Sequence, residues 1–283
     1  MLVYRNFRYF KWAALLVLAS VIAYWLHQPF AGVPNGGTWL GYVLGTIGAG
    51  IIFWLTYLGI RKRRYGIHRE GAGKDKRKDG IKLEDWVSAH IYFGLSLIIV
   101  ATLHTGFQFG WNLHTLAYAL MIIVIVSGIF GVYAYIRYPQ LMTENRRGLT
   151  LNNMLAQVAD LDKEMRGITM SMGENINAAV LRAAQETRVG GSFGRMLAGQ
   201  DASCPTTAAR VLVEQVAHQP HDDEAALRRL LSLLVRKEEL LRRARRDVQF
   251  SALMQIWLFV HVPLSFGLLA ALTAHIVSVF FYW

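Results

Sequence analysis

Residues 86–109, WVSAHIYFGLSLIIVATLHTGFQF, form an uncharged stretch that contains two histidines, His90 and His104. Fourteen residues rise about 21 Å along an α-helix and complete nearly four turns, so both imidazoles project from almost the same face. The length of the stretch suits the hydrocarbon core of a bilayer, which is about 30 Å thick. We therefore expect a membrane helix with one histidine near each edge of the core.

A second uncharged stretch near the C-terminus repeats this spacing. Residues 255–283 read QIWLFVHVPLSFGLLAALTAHIVSVFFYW, and His261 and His275 are again fourteen residues apart. Two membrane helices with histidines at matching depths provide two pairs of imidazoles. Two neutral imidazoles that face each other suit the axial positions of a haem iron, so the pattern predicts two haem sites.

The distribution of charge along the chain indicates five membrane helices. Three windows contain no Asp, Glu, Lys or Arg: 12–60, 86–136 and 248–283. The first two windows are too long for one helix and have turn-like centres, whereas the third fits a single span. The predicted spans are 12–28, 38–60, 86–108, 112–136 and 252–281. We expect an all-α integral membrane bundle of five transmembrane helices.

Basic residues set the predicted orientation. All 30 Lys and Arg residues lie before the first span, between spans two and three, or between spans four and five. With five spans these segments share one face of the membrane, and the positive-inside rule makes it the cytoplasmic face. The predicted location is the bacterial cytoplasmic (inner) membrane, with a cytoplasmic N-terminus and an extracytoplasmic C-terminus.

This topology divides the chain into three parts. Residues 1–138 contain spans one to four and the basic cytoplasmic loop 61–85. Residues 139–250 form a cytoplasmic helical insertion between helices four and five, and residues 251–283 complete the haem-binding bundle. Nothing in the insertion resembles a flavin or nicotinamide domain, and we expect it to bind a partner or to oligomerise.

The insertion carries two apolar stripes at helical spacing, one beginning at Leu151 and the other at Leu227. Such stripes are typical of helices that bury one face. We expect two long helices that continue from spans four and five and pack on each other. Shorter helices are expected near 174–187 and 206–218.

The topology also selects which histidines pair. Spans three and five enter the membrane from the same side, because one antiparallel span lies between them. His90 is therefore level with His261 near the cytoplasm, and His104 with His275 near the outer side. The chain has one cysteine and no CxxCH motif, so the predicted cofactor is two non-covalent haem b groups. Zinc or copper is poorly supported, since each level offers only two imidazoles.

Three further residues are assigned to the candidate site. Gly45 and Gly59 in span two are also fourteen residues apart and would leave room for two porphyrin faces, although close helix packing is the alternative. His114 opens span four, either as an interfacial polar residue or as a contact to a haem propionate or a quinone head group. His27, at the outer end of span one, is expected in the wet interface.

The H-x13-H pattern of His90 and His104, repeated by His261 and His275, resembles the haem-binding core of the cytochrome b superfamily. That group includes the cytochrome b of quinol–cytochrome c reductases and the cytochrome b subunits of bacterial hydrogenases and formate dehydrogenases. Histidine pairs on the third and fifth helices are also similar to the ferric reductase and NADPH oxidase membrane domain. The likeness covers roughly spans two to five. It does not cover the insertion 139–250, and the chain has no recognisable flavin–nicotinamide domain.

We therefore expect a transmembrane di-haem b-type cytochrome subunit. It would transfer electrons across the inner membrane between a quinone or cytoplasmic redox partner and an extracytoplasmic redox partner. The expected setting is the electron-transfer part of a multi-subunit oxidoreductase complex, in contact with membrane lipids and redox proteins and not with nucleic acid. Two alternatives stay open: a terminal transmembrane reductase of ferric iron or oxygen, and a non-redox membrane scaffold or sensor that works through its cytoplasmic helical hairpin.

Overall fold

The computed structural model describes residues 6–32, 34–69, 83–199, 204–218 and 223–281. In these ranges every regular element is an α-helix, which confirms the all-α fold. The helices are α1 (Arg8–Ala31), α2 (Trp39–Arg69), α3 (Leu83–Thr105), α4 (Leu113–Arg146), α5 (Leu151–Thr169), α6 (Glu174–Glu186), α7 (Phe193–Ala198), α8 (Pro205–Ala217) and α9 (Glu224–Phe281).

Five of these helices, α1, α2, α3, α4 and α9, are long and apolar enough to cross a membrane. Each overlaps one predicted span over most of its length, so the number and order of the apolar helices are confirmed, but α3 ends at Thr105 rather than at the predicted residue 108. Helix α2 continues to Arg69, beyond the predicted end of span two at residue 60. A change from apolar to basic residues marks where a helix leaves hydrocarbon, but it does not end the helix. Residues 70–82 of the basic loop 61–85 lie outside the described residues.

The chain divides into two compact units, and the first comprises residues 1–130 and 259–283. In this bundle, α1 packs on α2 and α3, and α2 packs on α3. Two clusters of buried apolar residues fill its interior. One is built by α2, α3, α4 and α9, and the other by α1, α2 and α3. Many large apolar side chains remain exposed, among them Trp12, Leu18, Val126, Phe259 and Phe266.

The second unit, residues 131–258, buries the two stripes predicted from the sequence. Met154, Leu161 and Met165 of α5 share a core with Leu230 and Leu234 of α9. The same core includes apolar residues of α6 and α8, and α6 packs against both α5 and α8. Helices α6 and α8 confirm the short helices expected near 174–187 and 206–218, whereas the short helix α7 was not predicted.

One prediction about this unit is wrong. We expected the helices of spans four and five to continue into the insertion as two long helices. Helix α9 does run unbroken from Glu224 to Phe281, but α4 ends at Arg146. Arg147 (φ 46°) and Gly148 (φ 84°) adopt left-handed backbone conformations, which end a helix. The apolar stripe then begins in a separate helix, where Thr150 accepts a hydrogen bond from the Asn153 backbone N–H.

Charged side chains join the helices of the second unit. Lys237 of α9 is fully buried, and its Nζ donates to Asp162 Oδ1 of α5 (2.6 Å) and to the Ala183 carbonyl of α6 (2.8 Å). At the end of α4, Arg146 binds Asp247 through two hydrogen bonds of 2.6 and 2.8 Å. A buried ammonium or carboxylate is tolerated only with such partners.

Candidate functional site

The structure brings the rings of His104 and His275 together. Their centroids are 6.1 Å apart and their planes make an angle of 85°. An iron bonded to two imidazoles separates the ring centres by roughly 6 Å, given two metal–nitrogen bonds of about 2 Å and the radius of each ring. The separation matches this value, and it also lies within the range of ordinary edge-to-face ring contacts.

The backbone of α2 fixes the orientation and tautomer of His104. Its Nδ1 lies 2.7 Å from the Gly41 carbonyl oxygen. A carbonyl can only accept, so Nδ1 carries the proton and Nε2 carries the lone pair. Metal-binding histidines commonly donate their second ring N–H to a carbonyl in this way. His104 is thus held in the form that a metal requires.

Gly45 makes room for this imidazole. A Cβ atom at Gly45 would lie 2.6 Å from His104 Cε1, a distance that side chains do not tolerate. We predicted that Gly45 leaves space for a porphyrin face, and the structure places the histidine ring itself in that space. A porphyrin contact at Gly45 stays a prediction. The surroundings of Gly59 lie outside the described residues, so its proposed role is also untested.

His114 lies against His275, which the sequence did not anticipate. The two Nδ1 atoms are in contact, and the ring centroids are 4.5 Å apart with perpendicular planes. One nitrogen must donate and the other accept. When His275 donates, its Nε2 carries the lone pair, as in His104. The exposed His114 would then orient His275 as an iron ligand. The predicted contact of His114 with a haem propionate or a quinone stays a prediction.

A similar arrangement holds His261 on the other predicted level. Its Nδ1 lies 2.6 Å from Ser127 Oγ. The hydroxyl of Ser127 donates its proton to the Val124 carbonyl (2.8 Å), so Oγ accepts from His261 Nδ1–H. The lone pair of His261 is again on Nε2. Gly128 lies beside the ring, since a Cβ there would be 3.6 Å from His261 Cε1.

Ser127 and Gly128 were missed by the sequence reasoning. The signal was present, because adjacent small residues in an apolar span often mark close approach of another helix. What the sequence lacked was the identity of the approaching group. His90, the predicted partner of His261, is half-buried on α3, and the pairing of these two residues stays a prediction.

The expectation for His27 is wrong. Its side chain is only 6% exposed, whereas we predicted a wet interfacial position. The Nδ1 atom lies 3.3 Å from the Gly32 carbonyl oxygen, and the ring packs 5.5 Å from the Trp39 ring. Gly32, which follows α1, and Trp39 of α2 thus contact the histidine, which is buried.

Comparisons with protein-family models, curated proteins and solved structures give no match. Within the described ranges, no group of three or more His, Cys, Asp or Glu side chains could hold a metal ion. A haem iron needs fewer protein ligands, since two imidazoles complete its coordination. The functional argument therefore rests on the geometry of the histidines.

Proposed function

We propose that this chain is a membrane-embedded cytochrome b subunit that binds two non-covalent haem b groups and conducts electrons across the inner membrane. The observation that carries this proposal is the His104–His275 pair. Its 6.1 Å ring separation suits one iron, and the Gly41 carbonyl holds His104 in the tautomer that a metal needs.

The exterior of the bundle supports insertion into a membrane. Soluble monomeric proteins rarely expose large contiguous apolar patches, whereas this bundle exposes tryptophan, leucine and phenylalanine along several helices. Several hydroxyl groups inside the apolar helices bond to a carbonyl of their own helix, as in Ser20 to the Leu16 carbonyl (2.8 Å) and Thr46 to the Tyr42 carbonyl (2.8 Å), whereas the buried Ser88 hydroxyl has no partner among the described residues. Such pairing is what hydrocarbon demands of polar groups.

The residues divide into two proposed sites. His90 and His261 would hold the haem nearer the cytoplasm, and His104 and His275 the outer one. Each bound haem supplies an iron that accepts and releases one electron. The Gly41 carbonyl and the Ser127 hydroxyl hold a proton on Nδ1 of their histidines, which increases the basicity of Nε2.

The proposed electron path runs between a quinone or cytoplasmic redox partner and an extracytoplasmic redox partner. A bare charge is costly inside hydrocarbon. Two haem irons at different depths would divide the passage of the electron into shorter steps. The chain would work within a multi-subunit complex, with its second unit available to a cytoplasmic partner.

A reduced-minus-oxidised absorption spectrum of the purified protein, with a pyridine haemochrome count, tests this proposal. We expect b-type spectra and two haems per chain. Protein that is colourless after production with ample haem would refute the proposal and favour a membrane scaffold. If two haems are found, the oxidation kinetics with quinone analogues and with soluble ferric or oxygen acceptors separate a quinone-linked subunit from a terminal reductase.

A further inference from the structure

A groove lined by arginines lies between the C-terminal part of α4 and α9, entirely within the second unit. Its volume is about 380 Å³, toward the lower end of the roughly 300–1,000 Å³ typical of ligand clefts. This size suits a head group rather than a large cofactor. Four arginines line the groove: Arg147, Arg242, Arg243 and Arg246.

Two of these arginines are already neutralised in part. Glu239 binds Arg243 through Oε1 at 2.8 Å and also pairs with Arg242. Burial raises the pKa of the Glu239 carboxyl, but the hydrogen bonds and charges of Arg243 and Arg242 outweigh burial and hold the pKa below its usual value. Glu239 therefore stays ionised near neutral pH and keeps both pairs.

The other two arginines carry uncompensated charge. Arg147 and Arg246 are exposed, and neither forms an ion pair within the part of the chain that the structure describes. The second carboxylate of the lining, Glu144, is exposed and forms no ion pair among the same residues. Arginines outnumber carboxylates by two, so the groove favours an anion.

Hydrogen bonds fix the two walls of the groove relative to each other. Arg146 binds the buried Asp247 through both of its oxygens, at 2.6 and 2.8 Å. Asn145 Nδ2 donates to the Arg243 carbonyl at 2.8 Å. The groove is thus formed before any ligand binds, which reduces the entropy lost on binding.

The polarity of the groove changes along its length. Leu141 and Phe250 line the end nearer the predicted spans, which stop at 136 and resume at 252. From Phe250, α9 rises about 6 Å to Arg246 and about 10 Å to Arg243. The head-group layer of a bilayer begins at the edge of the hydrocarbon and is roughly 5–8 Å thick on each side. Measured along α9 from the predicted edge at residue 252, Arg246 lies near the outer boundary of the head-group layer, close to the lipid phosphates, whereas Arg243 lies beyond that layer.

We infer that this groove binds the phosphate group of an anionic phospholipid from the cytoplasmic leaflet, with Arg147 and Arg246 as the main cationic contacts. A guanidinium group binds phosphate through paired, charge-assisted hydrogen bonds. Leu141 and Phe250 contact the apolar part of the same lipid. The inference rests on the membrane placement proposed above, and it does not depend on haem.

Native mass spectrometry of the full chain in a mild detergent tests the inference, with phosphatidylglycerol and phosphatidylcholine as probes. We expect one phosphatidylglycerol retained per chain at a concentration that retains no phosphatidylcholine. Arg147→Gln combined with Arg246→Gln should weaken phosphatidylglycerol binding about 10- to 30-fold. Replacing both arginines with Lys should cost less, because the charge is kept and only the paired hydrogen bonds are lost.

The matched control is Arg166→Gln combined with Arg182→Gln, which removes the same charge from exposed positions outside the groove. This control should bind phosphatidylglycerol like the wild type. Equal weakening by both double variants would overturn the site, since it would show general attraction to basic surface. Inorganic phosphate that binds as tightly as the lipid would overturn a lipid as the source. The haem count of each preparation reports separately on the proposed electron transfer.

Discussion

The bundle formed by residues 1–130 and 259–283 and the unit formed by residues 131–258 satisfy their buried polar groups in different ways. In the bundle, His104 and His261 have neutral partners, the Gly41 carbonyl and the Ser127 hydroxyl. In the second unit, the fully buried Lys237 has a charged partner, Asp162. A charge inside hydrocarbon lacks solvent on every side, whereas a charge buried in a water-exposed unit needs only local compensation.

The outer surfaces of the two regions differ in the same sense. The bundle exposes large apolar side chains such as Trp12 and Phe266. The second unit buries Leu230 and Leu234 and exposes charged residues such as Arg228. One rule accounts for both surfaces: each region buries the groups that its surroundings solvate poorly, which are polar groups in hydrocarbon and apolar groups in water. The difference is in keeping with the proposed setting, in which hydrocarbon surrounds the first region and water surrounds the second.

The largest expected effect concerns the charged pairing of the second unit. Asp162→Asn leaves the Lys237 ammonium buried without a counter-charge, which should lower the free energy of unfolding of this unit by about 3–5 kcal/mol. Urea titration of the full chain in detergent, read by pulse proteolysis, measures the change. Adding Lys237→Met should recover most of the loss. If the free energy of unfolding of the Asp162→Asn variant lies within about 1 kcal/mol of the wild-type value, the proposed cost of the unpaired charge is contradicted.

A smaller effect is expected from overpacking the neutral contacts of the bundle. Gly45→Ala places a Cβ where His104 Cε1 lies, and the ring must shift, at a cost of about 1–3 kcal/mol. The occupancy of the outer haem should fall while the other haem is retained. Gly50→Ala is the control, because nothing lies within 4 Å of a Cβ at that position. Equal haem contents in the two variants would remove Gly45 from the site.

The Ser127 contact can be tested at the other level. Ser127→Ala removes the acceptor of His261 Nδ1–H, and haem affinity at that level should drop about 10- to 100-fold. Transfer of haem to a scavenging apoprotein measures the affinity. Ser265→Ala serves as the control, since the Ser265 hydroxyl bonds to the His261 backbone carbonyl and not to its ring. Similar haem loss from both variants would show that Ser127 acts through packing.

The smallest effect concerns the helix that follows the break after α4. Thr150 caps α5 through its bond to the Asn153 N–H, and Thr150→Ala should cost about 1 kcal/mol of stability in the second unit. The same urea titration detects this change. Thr143→Ala, which removes a hydroxyl bonded to the Pro139 carbonyl within its own helix, should cost less. The reverse order would contradict the boundary between α4 and α5.

Apolar periodicity and the gaps in charge predicted most of the helices, but not α7 and not the break between α4 and α5. Windows without charge give the five long apolar helices, and the stripes beginning at Leu151 and Leu227 give the core of the second unit. The break after Arg146 was missed because the stripe that begins at Leu151 does not show whether its helix is continuous with span four. Only Gly148 in the sequence hinted at it.

The sequence did not predict hydrogen-bond partners that lie far apart along the chain. The spacing of the histidines predicts that His104 and His275 share a level, but not that Gly41, 63 residues away, fixes the tautomer of His104. Ser127 and His261 are 134 residues apart, and no local pattern links them. His27 was expected in water because the sequence does not tell which neighbouring turn will cover it.

The haem content of paired histidine variants tests the central claim most directly. When two residues that ligate the same iron are both replaced, the loss of haem should be no larger than for either single replacement. His104→Leu, His275→Leu and the variant with both changes should each retain one haem, whereas His104→Leu combined with His261→Leu should retain none. Two haems in His104→Leu, or none in the variant lacking both His104 and His275, would contradict the assignment.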